Sequence, residues 1–438
     1  MKLQIPVIGK VAALQFYQLM RFSMVFLISI LLSKSGLSTA AIGHYEYFLF
    51  LAGLVSFFWI SGLINSFLAL YNQYPKAEKN PVYFSASILL LFFSFLAGLV
   101  LFILMKTDAG GIRPDLHGFE ILLLLYVILS GPAALVENFY LVRNDSKKII
   151  RYAWISLPLQ VLAVGIPVFA GFGIESAFIG LISGMLVRII WLILFLIKHS
   201  RFQFDSSFSS QLMKNGWPLM LVALLGGSTQ YIDGAIITAY FDPQTFAVFR
   251  YGARELPLVI LFANAFSNAM VPSFSGHTDI RIPLQEIRQK TVRMMHFLYP
   301  LSFALLLSSS WLYPRVFNPE FAGGAAIFNI YLLLISSKLV FPQTILLGQR
   351  KNIFLMTVSI ILTIAHFLLA LIMVQVSGIT GVAFTAVIIN LIEKIIFFIY
   401  LKQKEGISLQ KYLDIRWWLL YNGILAGLFI LSLRNAGL

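Results

Sequence analysis

Apolar runs separated by short polar breaks dominate the chain. Each run is close to the roughly 20 residues that a helix needs to cross the hydrocarbon of a bilayer. Read as one helix each, the first six spans fall at about 10–32, 45–70, 82–105, 119–140, 153–172 and 174–198. The next pair forms a hairpin across residues 216–272 that turns at Phe241, Asp242 and Pro243. Four more follow at about 291–311, 324–347, 354–376 and 379–401, and a thirteenth apolar segment covers 417–433. Residues 199–215 link the two sets of six. Phe204, Phe208 and Leu212 recur there at helical spacing among polar residues, which predicts a short amphipathic helix on the cytoplasmic surface.

The polar positions inside these runs carry the information, because a charge at the bilayer centre costs roughly 2.5–3.5 kcal/mol on insertion scales. It therefore faces a partner or a wet cavity. The hairpin holds Asp233 on its first helix and Arg250, Arg254 and Glu255 on its second. Counted from the turn, Asp233 and Arg250 lie at equal depth, so a neutralising pair is expected, with ion coupling at Asp233 and Glu255 as the other reading. Gly226-Gly227 before Asp233 is expected to unwind the first helix, and Pro257 to kink the second. Asn264 and Asn268 extend its polar face. The hairpin reads as one wall of a central aqueous cavity in a transporter.

Elsewhere, Gln15, Gln18 and Arg21 form a stripe on the first helix, with Arg21 too far from either end to reach an interface easily. An anion-binding arginine facing the cavity fits that position, and so does a structural arginine satisfied by carbonyls at a helix–helix contact. The second helix carries Glu46 near its outer end and a small polar patch from Ser61 to Ser66, including Gly62 and Asn65, suited to close packing or to lining a cavity. Glu137 and Asn138 precede the basic loop 143–151, where a local salt bridge is expected. Arg188 is close enough to a cytoplasmic end to snorkel. Lys338 lies mid-membrane beside Ser336 and Ser337, and Glu393 and Lys394 are expected to pair.

Composition closes off several classes. Of 438 residues, 59% are hydrophobic and 11% charged, with a mean hydropathy of +0.86, which no soluble chain of this length would show. Net charge is +14. Most of the basic residues fall in alternate loops, around Lys2 and Lys10, Lys76 and Lys79, 143–151, 198–214, 281–293, 350–351 and 402–416. That bias places those loops and the N-terminus in the cytoplasm, with no need for nucleic-acid binding. There is no cysteine, so no disulfide or thiolate metal site is expected. Arg113 and His117 are the two candidate catalytic residues on the longest outer loop, too few for a membrane polymerase or ligase.

Shifted by about 204–205 residues, the chain overlays its own pattern. Residues 38–47 fall on 242–251, 141–147 on 346–352, and Gly173-Ile174 on Gly378-Ile379. Six spans per copy give both copies the same orientation. The expected architecture is an all-α polytopic membrane protein of two pseudo-symmetric six-helix lobes around a central cavity. The lobes cover 1–200 and 216–405, joined by the linker 201–215 and followed by a tail, 406–438.

Several local motifs sit on that frame: Leu37-Ser38, Gly43, Tyr45, Gly62-Leu63, Gly216-Trp217-Pro218-Leu219, Ile232-Asp233 and the run Phe246 to Arg250. Together they resemble the Wzx-type polysaccharide exporters. These belong to the superfamily that also holds MATE multidrug antiporters and lipid II flippases. The resemblance covers about residues 1–405. It implies a flippase in the bacterial inner membrane that carries an undecaprenyl-diphosphate-linked oligosaccharide to the periplasmic leaflet. It also implies membrane lipid and other polysaccharide-assembly proteins as partners, with no cofactor beyond a coupling proton or sodium ion. On this reading Arg21, Arg250, Arg254 and Lys338, with Gln18, Asn65, Asn264 and Asn268, meet diphosphate and sugar, since Arg offers paired donors to phosphate oxygens. Asp233, Glu255 and Glu46 are the coupling or pairing carboxylates. A cation-coupled drug antiporter and a lipid II flippase are the alternatives.

Overall fold

The computed structural model describes residues 9–71, 73–74, 80–107, 118–255, 257–274 and 280–435. Lys2, Lys76, Lys79, Arg113 and His117 lie outside them. Among the described residues every regular element is helical: α1 (Lys10–Lys34), α2 (Thr39–Leu54), α3 (Phe57–Tyr71), α4 (Pro81–Thr107), α5 (Glu120–Ala133), α6 (Val136–Val142), α7 (Ser146–Phe169), α8 (Gly173–His199), α9 (Ser206–Tyr240), α10 (Pro243–Gly252), α11 (Pro257–Met270), α12 (Arg281–Val316), α13 (Gly324–Leu332), α14 (Ile335–Lys338), α15 (Pro342–Gly348), α16 (Asn352–Lys404), α17 (Leu409–Tyr412) and α18 (Ile415–Asn435). Among the described residues nine helical segments, one of them α5 and α6 taken together, are long and apolar enough to cross a membrane, or eleven when two bent pairs are counted. The C-terminal segment is one of the nine.

The chain divides into two compact units. Unit 1 holds Met1–Tyr231 and Asp242–Ala247; unit 2 holds Ile232–Phe241 and Val248–Leu438. In unit 1, α1, α4, α5, α7 and α8 pack side by side. Phe92, Phe95 and Leu99 of α4 and Ile190 and Leu194 of α8 are exposed, as lipid-facing positions must be. Unit 2 gathers α12, α13, α15, α16 and α18. Its last helix is fixed by polar contacts: His296 Nδ1 and the Tyr421 hydroxyl are 2.7 Å apart, and Trp418 Nε1 donates to Ser336 O at 3.1 Å.

Where the chain turns, side chains satisfy the helix starts. Ser38, Asp145, Asp205 and Asp242 each accept a backbone N–H three residues on, from Ala41, Lys148, Phe208 and Thr245. The predicted turn at 241–242 therefore stands, with Asp242 as its cap. Lys394 and Glu393 pair as expected, at 2.5 Å.

Two expectations change, and a third, the break at Pro257, holds. The linker is not a separate surface helix, because α9 runs unbroken for 35 residues from Ser206. Its first turns pack inward: Phe208 and Leu212 are fully buried, and Ser66 Oγ donates to Leu212 O at 2.8 Å. Phe204 stays exposed. Gly226-Gly227 does not unwind the helix either. Without water to compete for the backbone, glycine loses most of its helix-breaking force in a membrane. The break comes on the next span, between α10 and α11. There the chain leaves the helix at Gly252 and resumes it at Pro257, whose ring lacks the donor that continuation would need.

The repeat is visible in backbone geometry. Among the described residues two non-glycine residues have positive φ, Asn144 at 57° and Arg350 at 60°, each at the corner after a broken fourth or tenth span. Gly173 (φ 73°) and Gly378 (φ 59°) form a second matching pair. At Gly378 the 53-residue α16 reverses direction of φ, so it is two spans joined at a left-handed residue that favours glycine.

Candidate functional site

A cavity of about 580 Å³ opens within unit 1, walled by α1, α2, α3, α5, α6, α7, α8 and the unit 1 part of α9. Arg21 and Gln18 from α1 and Asn65 from α3 line it with exposed side chains, as their positions on the helix faces predict. Gly62, one turn before Ser66, allows α3 to meet α9 backbone to backbone: a Cβ there would stand 2.6 Å from Met220 N.

Two charged residues on the wall were expected elsewhere. Glu137 was expected to bridge to the basic loop, but it is buried and lines the cavity. Its position follows from Ser130-Gly131-Pro132. Pro132 ends α5 a residue later, and the chain restarts as α6 at Val136, turning Glu137 inward. Gly131 permits the bend to sit tight, since a Cβ there would lie 2.2 Å from Ser94 Oγ. Arg188 was expected to snorkel. It is instead buried, and Nη2 donates to Gln160 Oε1 at 2.5 Å. Gly184, one turn earlier on α8, makes room for Gln160: a Cβ there would approach its Cγ to 2.9 Å. Glu137, Arg21, Arg188 and Tyr17 are electrostatic neighbours. The cavity thus carries two guanidinium groups and one carboxylate, with amide and hydroxyl groups between them.

The remaining predicted residues belong to unit 2, except Glu46, which is buried in α2 of unit 1. Asp233 does not pair with Arg250. Its Oδ2 accepts from the Tyr331 hydroxyl at 3.0 Å, and its Oδ1 accepts from His366 Nε2 at 2.7 Å. Asp233 and His366 are each 1% exposed. Equal distance from a turn fixes depth but not direction around the helix, and Asp233 points to α13 and α16. Glu255 and Lys338 form an ion pair at 3.2 Å, each about 30% exposed. Arg254 lies over the ring of Tyr251, 4.7 Å from its centre, and Tyr313 donates to Tyr251 O. Arg250 is half-buried on α10, and Asn264 and Asn268 are exposed on α11.

His366, Tyr331, Glu137, Arg188, Gln160 and Tyr17 were absent from the predicted site. A signal existed for three of them. A lone ionisable residue inside an apolar run is a functional candidate by default, and His366, Glu137 and Arg188 each meet that description.

Such an arrangement, a bundle of spanning helices with charged groups held inside each half, defines a polytopic membrane protein. The fold is that of the MOP superfamily. A lipid II flippase, MurJ, in an inward closed conformation superposes with a TM-score of 0.70 over 96% of this chain and 92% of that one, at 18% identity. An inward-facing multidrug resistance MATE transporter gives 0.63 over 90% and 99%, at 14% identity. A MOP superfamily transporter from Pyrococcus furiosus, described as having a binding pocket of reversed polarity, gives 0.55 over 91% and 95%, at 14% identity. No curated protein matches the chain. The profile described as "Polysaccharide biosynthesis protein" matches residues 36–325, and the chain belongs to that family. It is a multi-pass membrane protein.

Proposed function

We propose that the chain moves an undecaprenyl-diphosphate-linked oligosaccharide from the cytoplasmic to the periplasmic leaflet by alternating access, for surface polysaccharide assembly. The observation that carries this reading is the unit 1 cavity, where Arg21 and Arg188 outnumber the single carboxylate Glu137. A diphosphate taken out of water needs fixed cations and forked donors, and guanidinium supplies both. Gln18, Asn65, Asn138 and Gln160 offer neutral polar groups of the kind that sugar hydroxyls use. In unit 2, Arg250, Arg254 and Lys338 are assigned to the same anionic head, and Asn264 and Asn268 to the sugar. Asp233 is the carboxylate assigned to ion coupling, by proton or sodium. The loop charges support a bacterial inner membrane location with a cytoplasmic N-terminus.

A drug antiporter for organic cations fits less well, because a cavity with net positive charge repels them. A lipid II flippase shares the diphosphate chemistry, and MurJ supports it through its fold alone.

The test is Arg21→Ala in a strain without its own exporter. Surface glycan should fall at least about tenfold, with lipid-linked sugar retained on the inner leaflet at normal protein level. Arg21→Lys should restore part of the export. Unchanged export with Arg21→Ala would remove the cavity from the mechanism. Rescue of cells depleted of their lipid II flippase would replace the oligosaccharide with lipid II.

A further inference from the structure

The unit 1 cavity holds one group that an anion-binding site should not want. Glu137 lines it with a side chain only 5% exposed, among Arg21, Arg188 and Tyr17. Its Oε2 is buried and has no hydrogen-bond partner, and neither has Arg188 Nε. A structural salt bridge would have used those atoms, because buried charges are normally paired and hydrogen-bonded. Here a carboxylate oxygen and a guanidinium N–H, on two residues of the same cavity wall, are both buried with their bonding capacity unspent. Among the described residues Glu137 is also the sole carboxylate on that wall.

We propose that Glu137 is a resident counter-anion. It neutralises the arginines of the empty cavity and is displaced from them when the diphosphate head arrives. Two guanidinium groups without any anion would repel each other in a medium that screens poorly. One carboxylate lowers that cost without saturating the donors. The incoming head, with two negative charges, then competes with Glu137 for Arg21 and Arg188. The competition weakens binding and so favours release: a carrier that held its cargo with both arginines unopposed would let go slowly. Glu137 thus sets affinity, while Arg188 and Arg21 supply it. Gln160, bonded to Arg188, holds that guanidinium in place when Glu137 moves off.

This inference rests on the diphosphate reading, and the two can fail separately. The probe is dimethyl diphosphate, a soluble diester that lacks the ionisation near about pH 6 of a phosphate monoester. Binding is measured by calorimetry on purified full-length protein in detergent, with Glu137→Gln compared with the native chain. Glu137→Gln should bind the probe about tenfold more tightly or better, while glycan export in cells declines. A purely structural role predicts weaker binding, so the sign of the change separates the two. Without probe the variant should melt below the native protein, and added probe should raise its Tm more than it raises the native one. If the variant can be purified only with the probe present, the same conclusion follows. Equal or weaker binding, or instability that the probe does not correct, overturns the counter-anion. No binding to the native protein overturns the diphosphate reading itself, and the counter-anion with it.

Discussion

The carboxylates Glu137 and Asp233 are buried to a similar degree but serve opposite ends. Glu137 lines a cavity and keeps one buried oxygen unbonded. Asp233 has both oxygens engaged, by Tyr331 and His366, and is closed away from any cavity described here. The first environment tolerates exchange of partners; the second is a completed network whose members depend on one another. Burial alone therefore does not mark a binding residue. What separates the two is whether the surrounding donors are used up.

That contrast is sharpest when a member is removed. Asp233→Ala leaves a buried histidine and a buried phenol without their acceptor. Each buried donor left without its acceptor costs about 1–3 kcal/mol, so a large fall in Tm in detergent is expected. The double replacement Asp233→Leu with His366→Leu should recover part of that loss, because the imidazole is no longer left without its acceptor. A double variant as unstable as Asp233→Ala would show that the network is not a unit. Next comes the Lys338–Glu255 pair, about 30% exposed on both sides. Solvent screens it, and Lys338→Met should cost under about 1 kcal/mol of stability. A Tm shift as large as that of Asp233→Ala would erase the distinction between sealed and open charge.

The smallest effect is at the membrane surface. The Arg288 guanidinium bonds Asp414 at 2.6 Å and holds its carboxyl below the usual carboxylate range, against an opposing push from burial. A depressed carboxylate adds stability above its unfolded value, near about pH 4, and loses it as pH falls through the folded value. Arg288→Gln should therefore narrow the gap in Tm between neutral pH and about pH 3. The effect is slight because the pair is exposed. A variant whose acid sensitivity matches the native protein would dismiss the contact.

The same distinction explains what could be read from the letters. Hydropathy placed the spans, because their length follows from the thickness of the bilayer. Arg21, Gln18 and Asn65 could be put on a cavity wall because each falls in a polar stripe or patch on its own helix. Partnerships across the fold were out of reach. His366 is 133 residues from Asp233, and nothing in either local sequence points to the other. Glu137 was misread because its neighbours in the chain are basic, while the bend after Pro132 turns it away from them. The glycine pair at 226–227 misled for another reason: propensities learned in water overstate what glycine does where backbone groups have nothing else to bond.

Asn144 and Arg350 bend the chain through the same left-handed corner, about 205 residues apart, although one is an amide and the other a cation. Handedness at a reversal is dictated by where the next segment must go, whereas the side chain riding on it is free to drift. A corner retained after its lettering has diverged is what the doubling of a half-length ancestor leaves behind.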